Sequence, residues 1–322
     1  MIDTDESDAA LVAVRTAARV CASAQGRLLA GDTLTKGDES PVTVADFAAQ
    51  AVVCAVLSER LGVLRLVGEE DAADLESTDT GELLRGVVGL VSTEIAADER
   101  RVLEWIRLGA ADASGDRYWT LDPIDGTKGF LRGDQYAIAL GLVEEGEVRL
   151  GVLGCPNLPN ADGSTGAVFV ADGERCVAYF GASDEPVEVR VDDVADVRAA
   201  RFCESVESGH SDQGQSAAIA ARLGITAEPY RIDSQCKYAA VARGDASIYL
   251  RLPTRADYRE KIWDHAAGMF VVECAGGRVT DVTGAPLDFR HGRRLEHNRG
   301  VVATSGRFHD EVIAAVLDVL EG

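Results

Sequence analysis

The chain has 322 residues, 46% of them hydrophobic, which is enough to bury a substantial core in one large domain or two smaller ones. Its formal net charge of −22 argues against non-specific binding to nucleic acid and against docking on an anionic membrane surface. The start of the chain is acidic, no apolar run approaches a membrane span, and the seven cysteines form no Cys-x-x-Cys pair, so we expect a cytoplasmic protein with reduced cysteines, no signal peptide and no zinc site.

Two apolar helices are predicted at the beginning of the chain, separated by a polar loop at residues 33–43. The helical spacing of apolar residues predicts the first helix over residues 8–30. Residues 40–46 then lead into the second helix, which runs to about residue 61. Asp46 lies near the start of the second helix, where the helix dipole favours a carboxylate. A helix-capping role therefore competes with any chemical role for Asp46.

A short buried strand is predicted at residues 64–70, and it ends in Gly68, Glu69 and Glu70. Strands of this type commonly run into solvent, so Glu69 is unremarkable when taken alone. The next segment, residues 71–115, is charged and rich in alanine, and its apolar spacing predicts a helix at about residues 93–108. We interpret this segment as an excursion from the main fold.

The central stretch, residues 119–130, predicts a buried strand that ends in a sharp turn. Pro123 fixes its own φ and favours an extended conformation at Asp122. Gly126 allows the backbone to turn, and Thr127 is a favourable residue at which to begin a helix. The sequence therefore predicts a strand, a turn and a helix within this one stretch.

The turn would present two carboxylates, those of Asp122 and Asp125, with the carbonyl of Ile124 between them. Hard oxygen donors of this kind are the ligands that Mg²⁺ prefers. The Thr127 hydroxyl and the backbone amides at the start of the helix suit an anion. A cation site that faces a phosphate site is an arrangement for phosphoryl transfer.

The rest of the chain first predicts a β-hairpin at residues 135–153 and then alternates strands with helices. Residues 155–163 are rich in Pro, Asn and Gly and are the best linker candidate, so we place a domain boundary at residue 160, between an α+β half (residues 1–160) and an α/β half (residues 161–322). The remaining predicted strands lie near 167–170, 176–180, 187–197, 200–205, 228–232, 246–250, 278–281 and 301–304, and the remaining helices near 212–223, 236–243, 263–275 and 308–320.

Among 54 Asp and Glu residues, three stand out because they lie in apolar or turn-shaped segments: Asp122, Asp125 and Asp264. Burying an unpaired carboxylate costs several kcal/mol, so a buried group of them needs cations or hydrogen bonds. For Asp264 the competing interpretation is the N-cap of the helix that follows, and both roles are compatible. If Glu69 joins these acids in space, divalent cations between them would make the repulsion tolerable.

Lysine is scarce, and its placement is informative. The chain has only four lysines, and arginine supplies the remaining positive charge. Each lysine falls inside or beside a segment that carries a motif, and a flexible ammonium is a common partner for phosphate. The four positions are Lys36, Lys128, Lys237 and Lys261.

Three separated motifs resemble the signatures of the lithium-sensitive, Mg²⁺-dependent phosphatases, which include inositol monophosphatases and fructose-1,6-bisphosphatases. They are Gly68-Glu69-Glu70, Asp122-Pro-Ile-Asp-Gly-Thr127 and Trp263-Asp-x-Ala-Ala-Gly268. Four further segments resemble specifically the 3′(2′),5′-bisphosphate nucleotidase branch of this family: Lys128–Gly133, Asp233–Tyr238, Tyr249–Pro253 and Ile262–Gly268.

The resemblance implies a layered αβαβα sandwich, with an α+β amino-terminal half and an α/β carboxy-terminal half. It implies two or three Mg²⁺ ions per site, held by Glu69, Asp122, the Ile124 carbonyl, Asp125 and Asp264. It assigns Asp46 and Thr127 to orienting and deprotonating the attacking water. The implied substrate contacts are Gly126, Thr127, Asp233, Ser234, Lys237 and Arg251, with His210 near the base.

The activity that the resemblance implies is Mg²⁺-dependent hydrolysis of the 3′(2′)-phosphate of adenosine 3′(2′),5′-bisphosphate to AMP and phosphate. An inositol phosphate phosphatase is the alternative within the same class, and a nucleotide sensor without catalysis is the alternative outside it. The expected partner is a small phosphorylated nucleotide, with no nucleic acid and no membrane. The sequence leaves open the oligomeric state, for which a monomer is the working expectation, and the choice between sulfur metabolism and inositol signalling.

Overall fold

The computed structural model describes residues 4–30, 41–62, 64–75, 81–206, 213–253, 255 and 257–321. The helices in this part of the chain are α1 (Thr4–Leu29), α2 (Pro41–Leu61), α3 (Gly81–Val91), α4 (Glu99–Arg107), α5 (Thr127–Arg132), α6 (Gln213–Leu223), α7 (Cys236–Ala242), α8 (Ala266–Cys274) and α9 (His309–Glu321). The strands are β1 (Leu66–Gly68), β2 (Arg117–Asp125), β3 (Ala137–Glu144), β4 (Glu147–Pro159), β5 (Thr165–Ala171), β6 (Cys176–Phe180), β7 (Val187–Glu188), β8 (Phe202–Glu204), β9 (Tyr230–Arg231), β10 (Ile248–Arg251), β11 (Arg278–Thr280) and β12 (Val301–Thr304).

These strands form two sheets. The first sheet has the order β1-β2-β3-β4-β5-β6-β7, in which β1 and β2 are parallel and every later pair is antiparallel. The second sheet has the order β11-β12-β10-β8-β9. It is mixed, because β8 runs parallel to both β9 and β10 whereas β12 runs antiparallel to β10 and β11.

Three buried cores lie between five layers, because the second core fills the space on both sides of the middle helical layer. The first core packs α1 and α2 against one face of the first sheet, and the second packs α7 and α8 between the two sheets. The third packs α6 and α9 on the outer face of the second sheet. The strand β3 shows the consequence, since residues 137–143 are all buried and read as a continuous apolar run. The predicted αβαβα sandwich is confirmed.

The predicted linker is wrong. The strand β4 continues through this segment to Pro159, which pairs with Thr165 of β5, so the boundary placed at residue 160 falls in a turn within the first sheet. The chain passes from the first sheet to the second only between Glu188 and Phe202. The core between the sheets also contains residues from both halves, and a division into two domains stays a prediction.

Most of the predicted elements are confirmed. The strand predicted at residues 187–197 is wrong beyond Glu188, because only the two residues of β7 pair there, and the other main differences lie in the segment at residues 71–115. The predicted helix begins later, at Glu99, because the Asp98 side chain accepts a hydrogen bond of 2.8 Å from the backbone N–H of Arg101 and caps the helix. The helix α3 was not predicted, and its interior glycines Gly86 and Gly89 weaken the local signal.

The seven cysteines are free, and six of them are buried, as expected for reduced core residues. Within the described part of the chain, no helix combines the length and the apolar character needed to cross a membrane.

Candidate active site

The turn at the end of β2 has the conformation that the sequence predicts. Gly126 has a φ of 89°, in the left-handed region, and α5 begins at Thr127. A Cβ atom at Gly126 would lie 2.7 Å from the Cβ of Ser234, so glycine is required both by the turn and by the close approach of the segment before α7. The turn of the first sheet and the start of α7 therefore meet at this point.

The parallel pairing of β1 with β2 brings Glu69 to Asp122. Gly68 is opposite Leu121, and the N–H of Glu69 donates to the carbonyl of Leu121 at 3.2 Å. The Glu69 and Asp122 carboxyls lie close enough for the charge of Glu69 to raise the pKa of Asp122. Two acids that are far apart in sequence therefore meet at the same end of the first sheet.

Asp122 is the most deeply buried acid of this group, with 2% of its surface exposed. Burial, followed by the charges of Glu69, Asp125 and Asp264, raises the pKa of its carboxyl well above the usual range. Its Oδ1 atom has no hydrogen-bond partner among the described residues. An oxygen in this state is expected where a cation binds.

Gln235 joins Asp125 to the segment that carries Asp264. Its backbone N–H donates to Asp125 Oδ2 at 2.5 Å, and its side-chain amide donates to the carbonyl of Trp263 at 3.0 Å. Burial raises the pKa of Asp264 to about 7; the charges of Asp125 and Glu69 add to this rise, whereas those of His265 and Arg251 oppose it. Glu69, Asp122, Asp125 and Asp264 thus converge, and we call these four residues the acidic cluster.

The capping interpretation of Asp264 is wrong, since the N-cap position of α8 is occupied by His265. Behind Asp264, the His265 ring lies between two buried partners, the Tyr238 hydroxyl at 2.8 Å and Glu260 Oε2 at 3.2 Å. Glu260, Asp264 and His265 offer ligand atoms within 4.8 Å of one another.

Asp46 lies in the second turn of α2, so the capping interpretation is wrong here as well. It is 8% exposed, and burial, with the charges of Glu70 and Glu69, raises the pKa of its carboxyl well above the usual range. One turn later, Gln50 is fully buried and holds the backbone of Glu70, accepting from its N–H at 3.1 Å and donating to its carbonyl at 2.7 Å. The helix α2 therefore supports the end of β1.

The acidic cluster fits a divalent cation. It offers only oxygen donors, and its buried Asp122 Oδ1 has no hydrogen-bond partner among the described residues. Burial and the charges of neighbouring acids raise the pKa values of Glu69, Asp122 and Asp264. A hard cation among these oxygens would remove both the repulsion and the missing contact.

A cavity of about 400 Å³ adjoins the acidic cluster and contains most of the predicted substrate residues in its wall. Three cations line it, the exposed Lys128 together with Lys237 and Arg251, and we call Lys237 and Arg251 the cationic wall. The Lys237 side chain is 5% exposed, its ammonium donates to the Ser205 hydroxyl at 3.2 Å, and burial lowers its pKa. Arg251 lies 3.5 Å from the Glu260 carboxylate.

Asp233 and Ser234 also line the cavity, but the Asp233 carboxylate already has partners. It pairs with Arg132 at the end of α5 and accepts from the N–H of Val206 at 3.0 Å. These contacts give Asp233 a structural role, joining α5 to the end of β8, that the sequence did not predict. Ser234 has a φ of 65°, which is rare for a residue with a side chain and is retained here at the junction with Gly126.

Two predicted positions, Lys36 and His210, lie outside the described residues. Three supporting residues were missed by sequence reasoning: Gln50, Gln235 and Arg293. Gln50 had a detectable signal, because it is a polar residue four positions after Asp46 in an otherwise apolar helix. Gln235 lies inside the Asp233–Tyr238 segment singled out from the sequence, but its own role was not predicted, and nothing local distinguished Arg293. The contacts of both residues lie far away in the sequence.

Comparison with known proteins identifies the family. The sequence matches the inositol monophosphatase family over residues 3–321. It is 43% identical to a 3′(2′),5′-bisphosphate nucleotidase of Schizosaccharomyces pombe over 98% of this chain and 95% of that protein. It is also 43% identical to the enzyme of that name from Emericella nidulans, over 90% of this chain and 91% of that protein.

Solved structures show the same fold at lower sequence identity. The Thermotoga maritima IMPase superposes with a TM-score of 0.64 at 23% identity, covering 99% of both chains. The inositol monophosphatase from Anabaena superposes with a TM-score of 0.62 at 18% identity, covering 98% of this chain and 97% of that one. With the family match across nearly its whole length, the chain belongs to the inositol monophosphatase family.

Proposed function

We propose that the protein is a 3′(2′),5′-bisphosphate nucleotidase, which hydrolyses the 3′(2′)-phosphate of adenosine 3′(2′),5′-bisphosphate to AMP and phosphate. The names of the relatives that are 43% identical support this activity. The observation that carries the proposal is the juxtaposition of an acidic cluster suited to cations with a cavity that has a cationic wall. A doubly phosphorylated substrate needs both features.

The proposed metal ligands are the four carboxylates of the acidic cluster together with the Ile124 carbonyl, and the proposed ion is Mg²⁺, with two or three per site. When bound, the metal supplies Lewis-acid stabilisation of phosphate oxygens and lowers the pKa of water. Gln235 and the β1–β2 pairing hold the carboxylates in place, which removes the need to gather repelling acids at the moment of binding.

Asp46 and Thr127 are proposed to orient the attacking water, whose proton passes through the Thr127 hydroxyl to the Asp46 carboxylate. The pKa of Asp46 is raised above the usual range by burial and neighbouring acids, and a carboxylate with a raised pKa is a stronger base. The start of α5 at Thr127 presents backbone N–H groups that suit the oxygens of the reacting phosphate.

The cationic wall is proposed to hold the second phosphate of the nucleotide. Lys237 is a buried ammonium with one oxygen partner in the described structure, the Ser205 hydroxyl, although it can donate three hydrogen bonds. A phosphate would complete these hydrogen bonds and offset the desolvation of the charge. An inositol monophosphate has no second phosphate for this position, so the cationic wall favours the nucleotide over that alternative.

Phosphate release tests the proposal. Purified protein is assayed with adenosine 3′,5′-bisphosphate, inositol 1-phosphate and fructose 1,6-bisphosphate, each with Mg²⁺, with EDTA, and with Mg²⁺ plus Li⁺. We expect the highest kcat/KM on the nucleotide, no turnover in EDTA and inhibition by Li⁺. Higher kcat/KM on inositol 1-phosphate would select the alternative phosphatase, and nucleotide binding without phosphate release would select the sensor.

A reducing compartment such as the cytoplasm is proposed as the location, and the seven free cysteines support it.

A further inference from the structure

Arg293 lies in the loop between β11 and β12 and contacts both segments that bring distant acids into the site. Its Nη2 atom donates to the carbonyl of Gly68 at 2.7 Å, directly before Glu69. Its guanidinium carbon lies 4.5 Å from the centre of the Trp263 ring, directly before Asp264. One side chain therefore touches the residue preceding each of two acids of the cluster.

The backbone of this loop is attached to the Asp264 side of the site. The N–H of Ile262 donates to the carbonyl of Arg293 at 3.2 Å, and Lys261 forms an antiparallel bridge with Arg294. The backbone of Arg293 thus moves with the segment that leads into α8. Its guanidinium extends from that segment to the end of β1 in the first sheet.

The guanidinium suits this task better than an ammonium would. It is planar, so it can stack on an aromatic face while it donates a hydrogen bond within its own plane. An ammonium on a flexible stem is a point charge that cannot do both with the same geometry.

We propose that Arg293 is a positioning residue that holds the Glu69 and Asp264 segments at the separation at which both acids serve one metal site. The proposal rests on the proposed function, because it requires the acids to be metal ligands. Without this link, the like charges of Glu69 and Asp264 favour separation of the two segments, and metal binding has to restore the arrangement. Partners behind the ligands of a metal site typically change metal affinity by about 10–100-fold when they are removed.

The test compares Arg293→Met with Arg294→Met, which removes the same charge one residue away. Arg294 is a suitable control because its Nη1 atom donates to the carbonyl of Arg259 at 3.0 Å, within the loops and away from Gly68 and Trp263. Arg293→Lys keeps the charge and removes the planar group. Each protein is titrated with Mn²⁺ by calorimetry without substrate, and its thermal unfolding is measured in EDTA.

We expect the Mn²⁺ dissociation constant to rise by about 10–100-fold in Arg293→Met and to stay within about twofold of wild type in Arg294→Met, with similar unfolding temperatures in EDTA. Arg293→Lys should also bind Mn²⁺ several-fold more weakly than wild type, and this variant decides the matter if Arg293→Met does not fold. An unchanged dissociation constant in Arg293→Met or Arg293→Lys, or an equal loss in Arg293→Met and Arg294→Met, would overturn the proposal. A wild-type protein that binds no Mn²⁺ would refute the proposed metal site itself, which is a distinguishable result.

Discussion

Two acids of the acidic cluster, Asp125 and Asp264, line the same cavity as the cationic wall, and the two groups differ in the partners that their charges have. In the part of the chain that the structure describes, Asp122 Oδ1 has no hydrogen-bond partner, and burial and the charges of neighbouring acids raise the pKa of its carboxyl. The two cations of the cationic wall instead have partners: the Lys237 ammonium donates to the Ser205 hydroxyl, and the Arg251 guanidinium pairs with the Glu260 carboxylate. In a chain of net charge −22, the local arrangement of a few buried groups therefore decides which ligand charges the site accepts.

Removing one acid of the acidic cluster should have the largest effect on activity. We expect Asp125→Asn to lower kcat by more than about 100-fold, because loss of a direct ligand should exceed the 10–100-fold typical of a supporting residue. The asparagine oxygen can still accept the hydrogen bond from the Gln235 N–H, so the fold should persist. The measurements are phosphate release with Mg²⁺ and thermal unfolding, with the exposed acid variant Asp310→Asn as the control. Retained turnover in Asp125→Asn would refute the metal assignment.

Removing one cation of the cationic wall should weaken the binding of doubly phosphorylated substrates. We expect Lys237→Met to raise KM for adenosine 3′,5′-bisphosphate by about 10–100-fold, since a hydrogen bond to a charged group is worth about 1.5–3 kcal/mol. Activity on a singly phosphorylated ester should change much less. The exposed variant Arg222→Met serves as the control. A uniform loss across all phosphate esters would contradict the assignment of Lys237 to the second phosphate.

The support that Gln50 gives to the end of β1 can be tested by adding a methyl group at Gly68. A Cβ at Gly68 would lie 2.3 Å from Gln50 Oε1, so Gly68→Ala must displace Gln50 from the backbone of Glu70. We expect a loss of about 2 kcal/mol in unfolding free energy, measured by denaturant titration in EDTA. The matched control is Gly89→Ala in α3, which meets no atom within 4 Å and should gain up to about 1 kcal/mol. Equal effects of the two variants would show that Gln50 does not brace the end of β1.

The smallest expected effect is the pH dependence of the metal-free protein. The pKa of Asp264 is about 7, above its ordinary value of 3.8, so the folded state binds this proton more tightly than the unfolded state does. The stabilisation is present below about pH 4 and is lost as the pH rises through about 7. Burial lowers the pKa of His309 to about 4, so this residue makes stability rise with pH. The wild type is therefore compared with a variant that keeps His309.

That variant is Asp264→Asn, with both proteins measured in EDTA at about pH 5.5 and pH 7.5. Between these two pH values, we expect the unfolding temperature of the wild type to fall by about 2–4 °C more than that of the variant. Added Mg²⁺ should stabilise the wild type more at the higher pH, because metal ligands must be deprotonated. Parallel pH profiles in EDTA would show that Asp264 does not titrate as described.

The strand, turn and helix around Asp122 and the alternation of elements after residue 200 were predictable from sequence, because both depend on neighbouring residues. Pro123 restricts its own backbone, Gly126 permits the positive φ of the turn, and apolar periodicity reports which face of an element is buried. The linker interpretation of residues 155–163 was wrong because it, too, rested on local composition. A segment rich in Pro, Asn and Gly has the local composition of a linker, whereas its pairing with β5 depends on a partner strand.

By itself, the sequence determined the local geometry of the motifs, the layered fold class and the resemblance to a phosphatase family. Only the tertiary structure decided that Asp46 and Asp264 are not helix caps and that Gln235 and Arg293 link segments from opposite halves of the chain. The physical reason is that backbone preferences act over a few residues, whereas a contact such as that between Arg293 and Gly68 exists only after the sheets and helices have packed.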